Sequence, residues 1–202
     1  MPDAPPAIVL PAGALIVRVH HVTRGAVFFG PSPGSRPGNR FDAPNGEFRV
    51  LYASARLEGA FVETILRRPK HRILRRAFVD ERAWTVLRLV SSVRLAKVFD
   101  EGLQALGVDA GEIGAEDYAL SRALALRIHT EPTVFDGLAY RSRYNNGELC
   151  YAIFDRVAAG DLMATRSDQF DAGGDTVSRL MSLYRASFDT SAPVPEIPPP
   201  GY

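Results

Sequence analysis

Three residues in one stretch of the chain could act together on a ligand: an arginine, a tyrosine and a glutamate. Arg40 lies in a loop rich in Gly, Pro and Asn, Tyr52 lies in a short apolar run, and Glu63 lies in a segment with helical spacing. A loop, a strand and a helix in succession can bring these side chains to the mouth of one cleft. A guanidinium, a phenol and a carboxylate suit an anionic ligand with an aromatic ring and a bond that breaks as positive charge develops.

Two further groups of polar side chains could join such a cleft. Arg18 lies in a predicted strand, where it alternates with valines and therefore faces the opposite side of the strand from them. Ser142, Arg143 and Asn145 follow another predicted strand, in a segment that ends with an Asn-Gly pair typical of a tight turn. Serine and asparagine side chains also stabilise turns, so a turn role stays open beside a binding role.

The spacing of apolar residues predicts alternating strands and helices. Strands are predicted over 15–21, 28–29, 48–54, 84–89, 93–98, 137–141 and 149–154, and helices over 57–68, 115–129 and 175–187. Residues 30–46 are predicted to be a loop, and its first part, 30–38, could order over a ligand as a lid. The Pro-rich segments 1–11 and 192–202 are predicted to be extended arms.

The helix predicted over 57–68 positions the glutamate. Glu63 lies at the edge of its apolar stripe, and Gly59 lies one turn earlier. A residue without a side chain beside this carboxylate predicts room for a ligand. In the helix predicted over 115–129, Glu116 and Asp117 are expected in the first turn, where they complement the helix dipole.

Length and composition predict one domain with a substantial core. The chain has 202 residues, of which 46% are hydrophobic, and a formal net charge of +1. That charge is not the basic field of a nonspecific nucleic-acid binder, so we expect no direct nucleic-acid binding. No signal peptide or membrane-spanning apolar run is recognised, and a single cysteine fits a reducing compartment. The expected location is cytoplasmic, without membrane contact.

The histidines and the cysteine do not predict a metal site. His20 and His21 are adjacent in a strand and are expected to point to opposite sides, while His71 and His129 lie in unrelated segments. Cys150 alternates within an apolar strand, which favours a buried, inert thiol over a nucleophile. We therefore expect no metal.

The order and spacing of these motifs resemble the RES domain, a family named for an arginine, a glutamate and a serine. The matching segments are Gly38–Asp42, Val50–Tyr52, Val62–Leu66 and Gly137–Asn145, the last continuing to Phe154. Arg18 also fits the family's opening arginine. The resemblance predicts a single RES domain over 1–202 with a core of about 15–169. Within the first segment, Phe41 and Asp42 stand where many members have Trp and Asn.

The resemblance implies an α/β fold related to ADP-ribosyltransferases, with a split mixed sheet flanked by helices and an NAD+ cleft. RES proteins are commonly toxins of toxin–antitoxin pairs that consume NAD+ by phosphorolysis or hydrolysis of the nicotinamide–ribose bond. Some members are described as protein ADP-ribosyltransferases. The usual neutralising partner is an Xre-type antitoxin, a separate chain that blocks the cleft.

Residue roles follow from the resemblance. Glu63 is assigned to the ribose, where its carboxylate stabilises positive charge, with a solvated helix glutamate as the alternative. Arg40 is assigned to a phosphate of NAD+ or to inorganic phosphate as a co-substrate, because its planar fork binds oxyanions bidentately; the alternative is a solvated loop arginine. Phe41 is placed in the same NAD+ site. Arg18 is assigned as a second side chain that binds the anion, with an ion pair across the sheet as the alternative.

The remaining assignments each carry an alternative. Tyr52 stacks on the nicotinamide or bonds the ribose, or it is a core tyrosine with a satisfied hydroxyl. Ser142 holds a phosphate or ribose oxygen, or it stabilises the turn; Arg143 and Asn145 join the same site.

The leading hypothesis is an NAD+-degrading enzyme, a phosphorylase or glycohydrolase, acting as a toxin. The second is a protein mono-ADP-ribosyltransferase that uses the same cleft. The third is a non-enzymatic module in which these residues pack or bind a partner. The acceptor and the oligomeric state, including a homo-oligomer, stay open.

Overall fold

The centre of the fold is a mixed sheet of eight strands. The computed structural model describes residues 5–31, 34–131, 134–171 and 173–190. The strands in this part of the chain are β1 (Ala7–Leu10), β2 (Leu15–His21), β3 (Val50–Ser54), β4 (Ile73–Leu74), β5 (Arg82–Leu89), β6 (Val93–Val98), β7 (Gly137–Arg141), β8 (Leu149–Phe154), β9 (Leu162–Gln169) and β10 (Ser187–Phe188). The sheet order is β1-β6-β7-β8-β3-β2-β5-β9, while β10 and β4 form a separate parallel pair.

The helices of the described residues are short and lie between the strands. They are α1 (Leu57–Thr64), α2 (Arg76–Asp80), α3 (Glu101–Leu106), α4 (Ala110–Gly114), α5 (Ala119–Thr130) and α6 (Asp175–Leu183). No helix in the described ranges is long and apolar enough to cross a membrane.

The large sheet splits between β2 and β3. These antiparallel strands pair at one described position, Val17 opposite Ser54. By contrast, β2 pairs with β5 along its whole length, from Leu15 to His21, and β3 pairs with β8 from Val50 to Ser54. The sheet is therefore two well-bonded halves that diverge beyond Val17, and the divergence opens a cleft.

Alternating strand residues divide the core among three clusters. Helices α3, α4 and α5 pack on one face of β6-β7-β8-β3, with Leu124 and Ile128 against Leu138 and Phe154. The opposite sheet face buries a second cluster that includes Leu51 and Ile153. Helices α1, α2 and α6 form a third cluster with β2 and β5. The period of two along each strand gives both sheet faces an apolar lining.

Most predicted strands are confirmed. The strands over 15–21, 93–98, 137–141 and 149–154 have the predicted bounds, and those over 48–54 and 84–89 correspond to β3 and β5. The predicted N-terminal arm contains β1, which pairs with β6 from Ala7 to Leu10. The predicted C-terminal arm, 192–202, lies outside the described residues.

Several local predictions are wrong. Phe28 and Phe29 form no strand; the carbonyl of Phe28 accepts a hydrogen bond from Arg18 at 2.7 Å, and Gly30 makes an isolated bridge to Val50. The helix predicted over 57–68 ends at Thr64, and the one predicted over 175–187 ends at Leu183, before β10.

The helix predicted over 115–129 begins four residues later than expected, at Ala119. Glu116 and Asp117 therefore precede the helix instead of forming its first turn. The Asp117 carboxylate accepts a hydrogen bond from the Ala119 backbone N–H at 2.9 Å. It therefore satisfies a backbone donor at the start of the helix from a position before the helix.

Candidate functional site

The divergence of β2 from β3 forms a cleft of about 360 Å³. One wall comes from β2 and the segment after it, the base from β3 and α1, and the far side from the loop before β3 and the turn after β7. This volume lies in the range of small-molecule sites. Arg18, Arg40, Tyr52, Glu63 and Arg143 all line it, so five of the predicted site residues do meet at one place.

The cleft is strongly cationic. Among the described residues, six arginines and a single carboxylate, that of Glu63, line it. The arginines are Arg18, Arg24, Arg40, Arg67, Arg82 and Arg143. A cleft with this lining concentrates anions. The whole chain has a net charge of only +1, so the positive charge is concentrated here by the fold.

Glu63 is held in place by Ser142. Glu63 lies half-buried in the last turn of α1, and the Ser142 hydroxyl donates a hydrogen bond of 2.7 Å to its Oε1. The same hydroxyl accepts from the backbone N–H groups of Tyr144 and Asn145, each at 3.2 Å. These bonds use its donor and both acceptor positions. Ser142 is fully buried, so it orients the carboxylate and the turn from behind the cleft wall.

Arg40 is a buried cation with an unused donor. Its side chain is 8% exposed, and its guanidinium packs over the rings of Tyr140 at 4.6 Å and Phe41 at 4.9 Å. Nη1 makes a long contact of 3.5 Å with the Ile113 carbonyl, and the buried Nη2 has no hydrogen-bond partner among the described residues. Buried donors are nearly always paired, so the described residues leave the hydrogen bonding of this guanidinium incomplete.

Asp42 anchors the loop that carries Arg40. Its buried carboxylate accepts hydrogen bonds from the backbone N–H groups of Gly38 at 2.9 Å and Asn39 at 2.7 Å. It also accepts from the Tyr52 hydroxyl at 2.9 Å. That hydroxyl in turn accepts from the Phe41 backbone N–H at 3.1 Å. Burial and the Asp42 carboxylate raise the pKa of Tyr52 well above its ordinary value. The phenol therefore stays protonated and keeps its hydrogen bonds to Asp42 and Phe41.

Helix α5 fastens the same loop from the other side. Arg122 donates from Nε to the Asn39 carbonyl and from Nη2 to the Pro37 carbonyl, both at 3.1 Å. The backbone before Arg40 is thus fixed by a carboxylate and a guanidinium, and the Phe41 N–H after it is fixed by the Tyr52 hydroxyl. We call Asp42, Tyr52 and Arg122 the loop clamp.

Arg18 lies on the opposite wall. Its Nη1 donates to the Phe28 carbonyl at 2.7 Å, and it forms no salt bridge within the described residues. Burial, followed by repulsion from Arg24, lowers the pKa of Arg18 to about 10. The side chain remains a cation at neutral pH, held without a counter-charge.

The family model of the RES domain matches residues 15–173. The chain belongs to the RES domain family. A solved structure with a similar fold is a chain of the M. tuberculosis MbcT-MbcA toxin-antitoxin complex, with a TM-score of 0.63 and 14% sequence identity over 88% of this chain and 90% of that chain. At this identity the likeness shows the fold alone. No curated protein matches the chain.

The predicted family and the mixed α/β fold are therefore confirmed. Within this RES domain, however, three predicted site residues do not line the cleft. Phe41 is fully buried against Tyr140, with ring centroids 4.8 Å apart. Asn145 donates to the Tyr184 hydroxyl at 3.0 Å and accepts from the Gly147 N–H at 3.2 Å. Ser142 is the third, as described above. All three support the site from outside it.

Arg143 does line the cleft but also has protein partners. Its Nη1 donates to the Ala115 carbonyl at 3.3 Å, and its Nη2 pairs with the exposed carboxylate of Glu116 at 3.4 Å. An exposed ion pair of this kind contributes little stability, so a ligand anion can compete for the guanidinium.

The room expected beside Gly59 does not exist. A Cβ added to Gly59 would lie 2.1 Å from Ser54 Oγ and 3.0 Å from Glu148 Cβ. Gly59 is needed because α1 packs closely on β3 and on the start of β8. The ligand space beside Glu63 comes instead from the divergence of the strands.

Sequence reasoning missed several cleft residues. Tyr118, Tyr140, Tyr144 and Arg67 line the cleft, and none was singled out in advance. The alternation within β7 could have indicated Tyr140, whose pKa is raised well above its ordinary value by burial and then by Glu63. The other three lie outside regular strands, where no periodicity marks their direction.

His20, His21 and Cys150 do not form a metal site. Both histidines line the cleft, and His20 Nε2 lies 3.0 Å from Thr85 Oγ1. Within the described ranges, no group of three or more His, Cys, Asp or Glu side chains could hold a metal. Burial and the Glu63 charge raise the pKa of Cys150 to about 12, as expected of an inert thiol.

Proposed function

We propose that this RES domain is an NAD+-consuming enzyme that cleaves the nicotinamide–ribose bond, with phosphate or water as the acceptor. One observation carries the proposal: a buried arginine with an unpaired donor and a carboxylate fixed by a serine share a cationic cleft. A dinucleotide has a diphosphate for the first group and a ribose for the second.

In this proposal Glu63 stabilises the charge that develops during cleavage. The C–N bond breaks with its electron pair moving to the pyridine nitrogen, so nicotinamide leaves as a neutral molecule and needs no general acid. The ribose carbon becomes oxocarbenium-like, as in glycoside hydrolysis. Because Ser142 fixes Glu63 before the ligand arrives, the carboxylate needs little reorganisation in the transition state.

The arginines hold the diphosphate and any incoming phosphate. Arg40 supplies its planar fork from one wall and Arg18 supplies charge from the other. Attack of a phosphate oxygen on the ribose carbon would give ADP-ribose 1″-phosphate. Attack of water would give ADP-ribose and a proton. Tyr52 and Ser142 act by positioning in this proposal, through the loop and through Glu63 respectively.

We further propose that the enzyme is a toxin with an Xre-type antitoxin as its partner, acting in the cytoplasm. Membership of the RES family supports this, as does the similar fold of a chain from a toxin–antitoxin complex. A partner chain that covers the cleft would suppress activity by excluding NAD+.

Product analysis tests the proposal. Purified chain is incubated with NAD+ alone, with and without inorganic phosphate, and the products are identified by mass spectrometry. We expect free nicotinamide without any protein acceptor, together with ADP-ribose 1″-phosphate or ADP-ribose according to the acceptor. Nicotinamide release that requires an added protein, with ADP-ribose attached to it, would favour a protein ADP-ribosyltransferase. Absence of nicotinamide under all conditions would contradict both.

A further inference from the structure

The outer part of the cleft holds two tyrosines and an arginine that the proposed chemistry does not use. Tyr118 lies directly before α5, Tyr144 lies in the turn after β7, and Arg67 lies shortly after α1. All three line the cleft. Arg67 is exposed and both tyrosines are partly exposed, whereas Arg40 is buried. This group therefore lies nearer the solvent than the arginine assigned to the diphosphate.

The three side chains form one interacting group. Partial loss of hydration lowers the pKa of Arg67, but interactions with the hydroxyls of Tyr118 and Tyr144 outweigh that effect and raise the pKa above its ordinary value. Arg67 Nη1 also donates to Asn39 Oδ1 at 3.4 Å, which links it to the residue before Arg40.

An arginine also lies near one face of each tyrosine ring. Arg122 lies 5.4 Å from the ring centre of Tyr118, and Arg143 lies 5.7 Å from that of Tyr144. Cations near an aromatic face help to fix the ring. The two rings are thus held at the cleft by the same elements that hold Arg40 and Glu63.

A dinucleotide presents a second ring system on the far side of its diphosphate. If Glu63 faces the ribose of the bond that breaks and Arg40 holds the diphosphate, the adenosine half must leave Arg40 toward another part of the cleft. Tyrosine rings stack on purines without needing a particular base edge, and an arginine can bind the adjacent phosphate. The opposite wall offers Arg18, Arg24 and Arg82 but no tyrosine among its described residues.

We propose that Tyr118, Tyr144 and Arg67 form the subsite that takes the adenosine half of the dinucleotide. This inference rests on the proposed function, because the direction of the ligand is set by Glu63 at the scissile bond. The subsite would contribute to affinity for the whole dinucleotide and would be largely dispensable for a mononucleotide that ends at the first phosphate.

The test compares Tyr118→Leu and Arg67→Ala with wild type. Arg68→Ala is the matched control, because Arg68 is the next residue along the chain and does not line the cleft. Binding of AMP is measured by calorimetry. KM is measured for NAD+ and for nicotinamide mononucleotide. Thermal unfolding verifies that each variant folds; Arg67→Ala removes an exposed side chain and decides the matter if Tyr118→Leu does not fold.

We expect wild type and Arg68→Ala to bind AMP and the two cleft variants to bind it about tenfold or more weakly. Their KM for NAD+ should rise by a similar factor and their KM for the mononucleotide much less. Equal AMP binding by all four proteins, no AMP binding by wild type, or an equal rise in both KM values would overturn the subsite. AMP binding that depends on Tyr118 without any NAD+ cleavage would keep the subsite and refute the proposed function.

Discussion

At the scale of single residues, the cleft maintains positive charge that the protein itself does not neutralise. Arg40 is buried with a free Nη2, and Arg18 lacks a carboxylate partner in the described residues. A buried polar group without a partner costs about 1–3 kcal/mol. Such a cost is typical of a site whose complement is a ligand.

Replacing Arg40 by lysine tests whether the fork of the guanidinium matters. Lysine keeps the charge but offers a point donor in place of two parallel N–H groups. We expect Arg40→Lys to lower kcat/KM for NAD+ by about 10² or more, the scale of a charge-assisted contact of ~3 kcal/mol. Arg88→Lys, on an exposed part of β5, is the control. A fully active Arg40→Lys protein would rule out a bidentate role.

Replacing Arg18 by methionine tests whether this charge serves the ligand at the expense of stability. The pKa of Arg18 is lowered to about 10 from 12.5, so the unfolded chain binds more protons between those two values. The destabilising contribution is therefore complete below pH 10 and disappears as the pH rises through this window. This contribution lowers the free energy of unfolding by at most about 3 kcal/mol. The hydrogen bond from Arg18 to the Phe28 carbonyl offsets about 1 kcal/mol of that loss.

We accordingly expect Arg18→Met to raise the melting temperature at pH 7 in the absence of ligand. The same change should reduce the rise in melting temperature that NAD+ produces, because the variant lacks a side chain that binds the anionic ligand. Both are read from thermal unfolding with and without NAD+. A lower melting temperature with unchanged NAD+ stabilisation would mean that Arg18 is structural.

At the scale of elements, α1 and the loop before β3 set the distance between the two halves of the site. Helix α1 is pressed onto the sheet at Gly59, where Ser54 and Glu148 occupy the space that a side chain would need. Ser54 is itself fixed by a hydrogen bond of 3.1 Å to the Leu149 carbonyl. The position of Glu63 along this helix therefore depends on a glycine one turn earlier.

Substituting Gly59 by alanine should push α1 away from β3. We expect Gly59→Ala to destabilise the fold by about 1–3 kcal/mol, the usual cost of overpacking, measured by urea denaturation. Gly114→Ala is the control, since a Cβ at Gly114, in α4, meets no atom within 4 Å. Equal stability of the two variants would show that α1 adjusts freely, and the close packing would then not position Glu63.

The loop clamp offers a second test at this scale. Asp42→Ala leaves the N–H groups of Gly38 and Asn39 and the hydroxyl of Tyr52 without their acceptor. We expect a loss of about 2–3 kcal/mol of stability and a strong fall in NAD+ turnover, because Arg40 is no longer held. Asp42→Asn should restore much of both, since its carbonyl can accept from the two N–H groups while its amide donates to Tyr52. Equal behaviour of the two variants would exclude the positioning role.

At the scale of the whole molecule, the sequence predicted those parts of the fold that local patterns determine. Strands β6, β7 and β8 were predicted with their observed bounds because they are rich in apolar residues and are flanked by turn-forming residues. Membership of the RES family followed from motifs in order. Arg40 and Glu63 were expected in one cleft on the same grounds, and both line it.

The parts of the fold and of the site that the sequence did not predict depend on contacts between distant segments. Strand β9 is mostly polar and exposed, so its pairing with β5 leaves little trace in its own sequence. The split between β2 and β3 is a property of two strands together, and no residue type marks it. Tyr118, Tyr144 and Arg67 reach the cleft from three separate connections. Ser142 binds Glu63 instead of lining the cleft for the same reason. Spacing along the chain cannot specify such directions.

We propose above all that a carboxylate from α1, facing a cleft lined with arginines, promotes cleavage of NAD+. The most direct test is the rate of nicotinamide release by wild type, Glu63→Gln and Glu58→Gln. Glu58 is the matched control, because it lies on the same helix but pairs with Arg179 at 2.8 Å outside the cleft. We expect Glu63→Gln to slow release by about 10²–10³ while Glu58→Gln stays near wild type. Undiminished release by a folded Glu63→Gln protein would contradict the proposal.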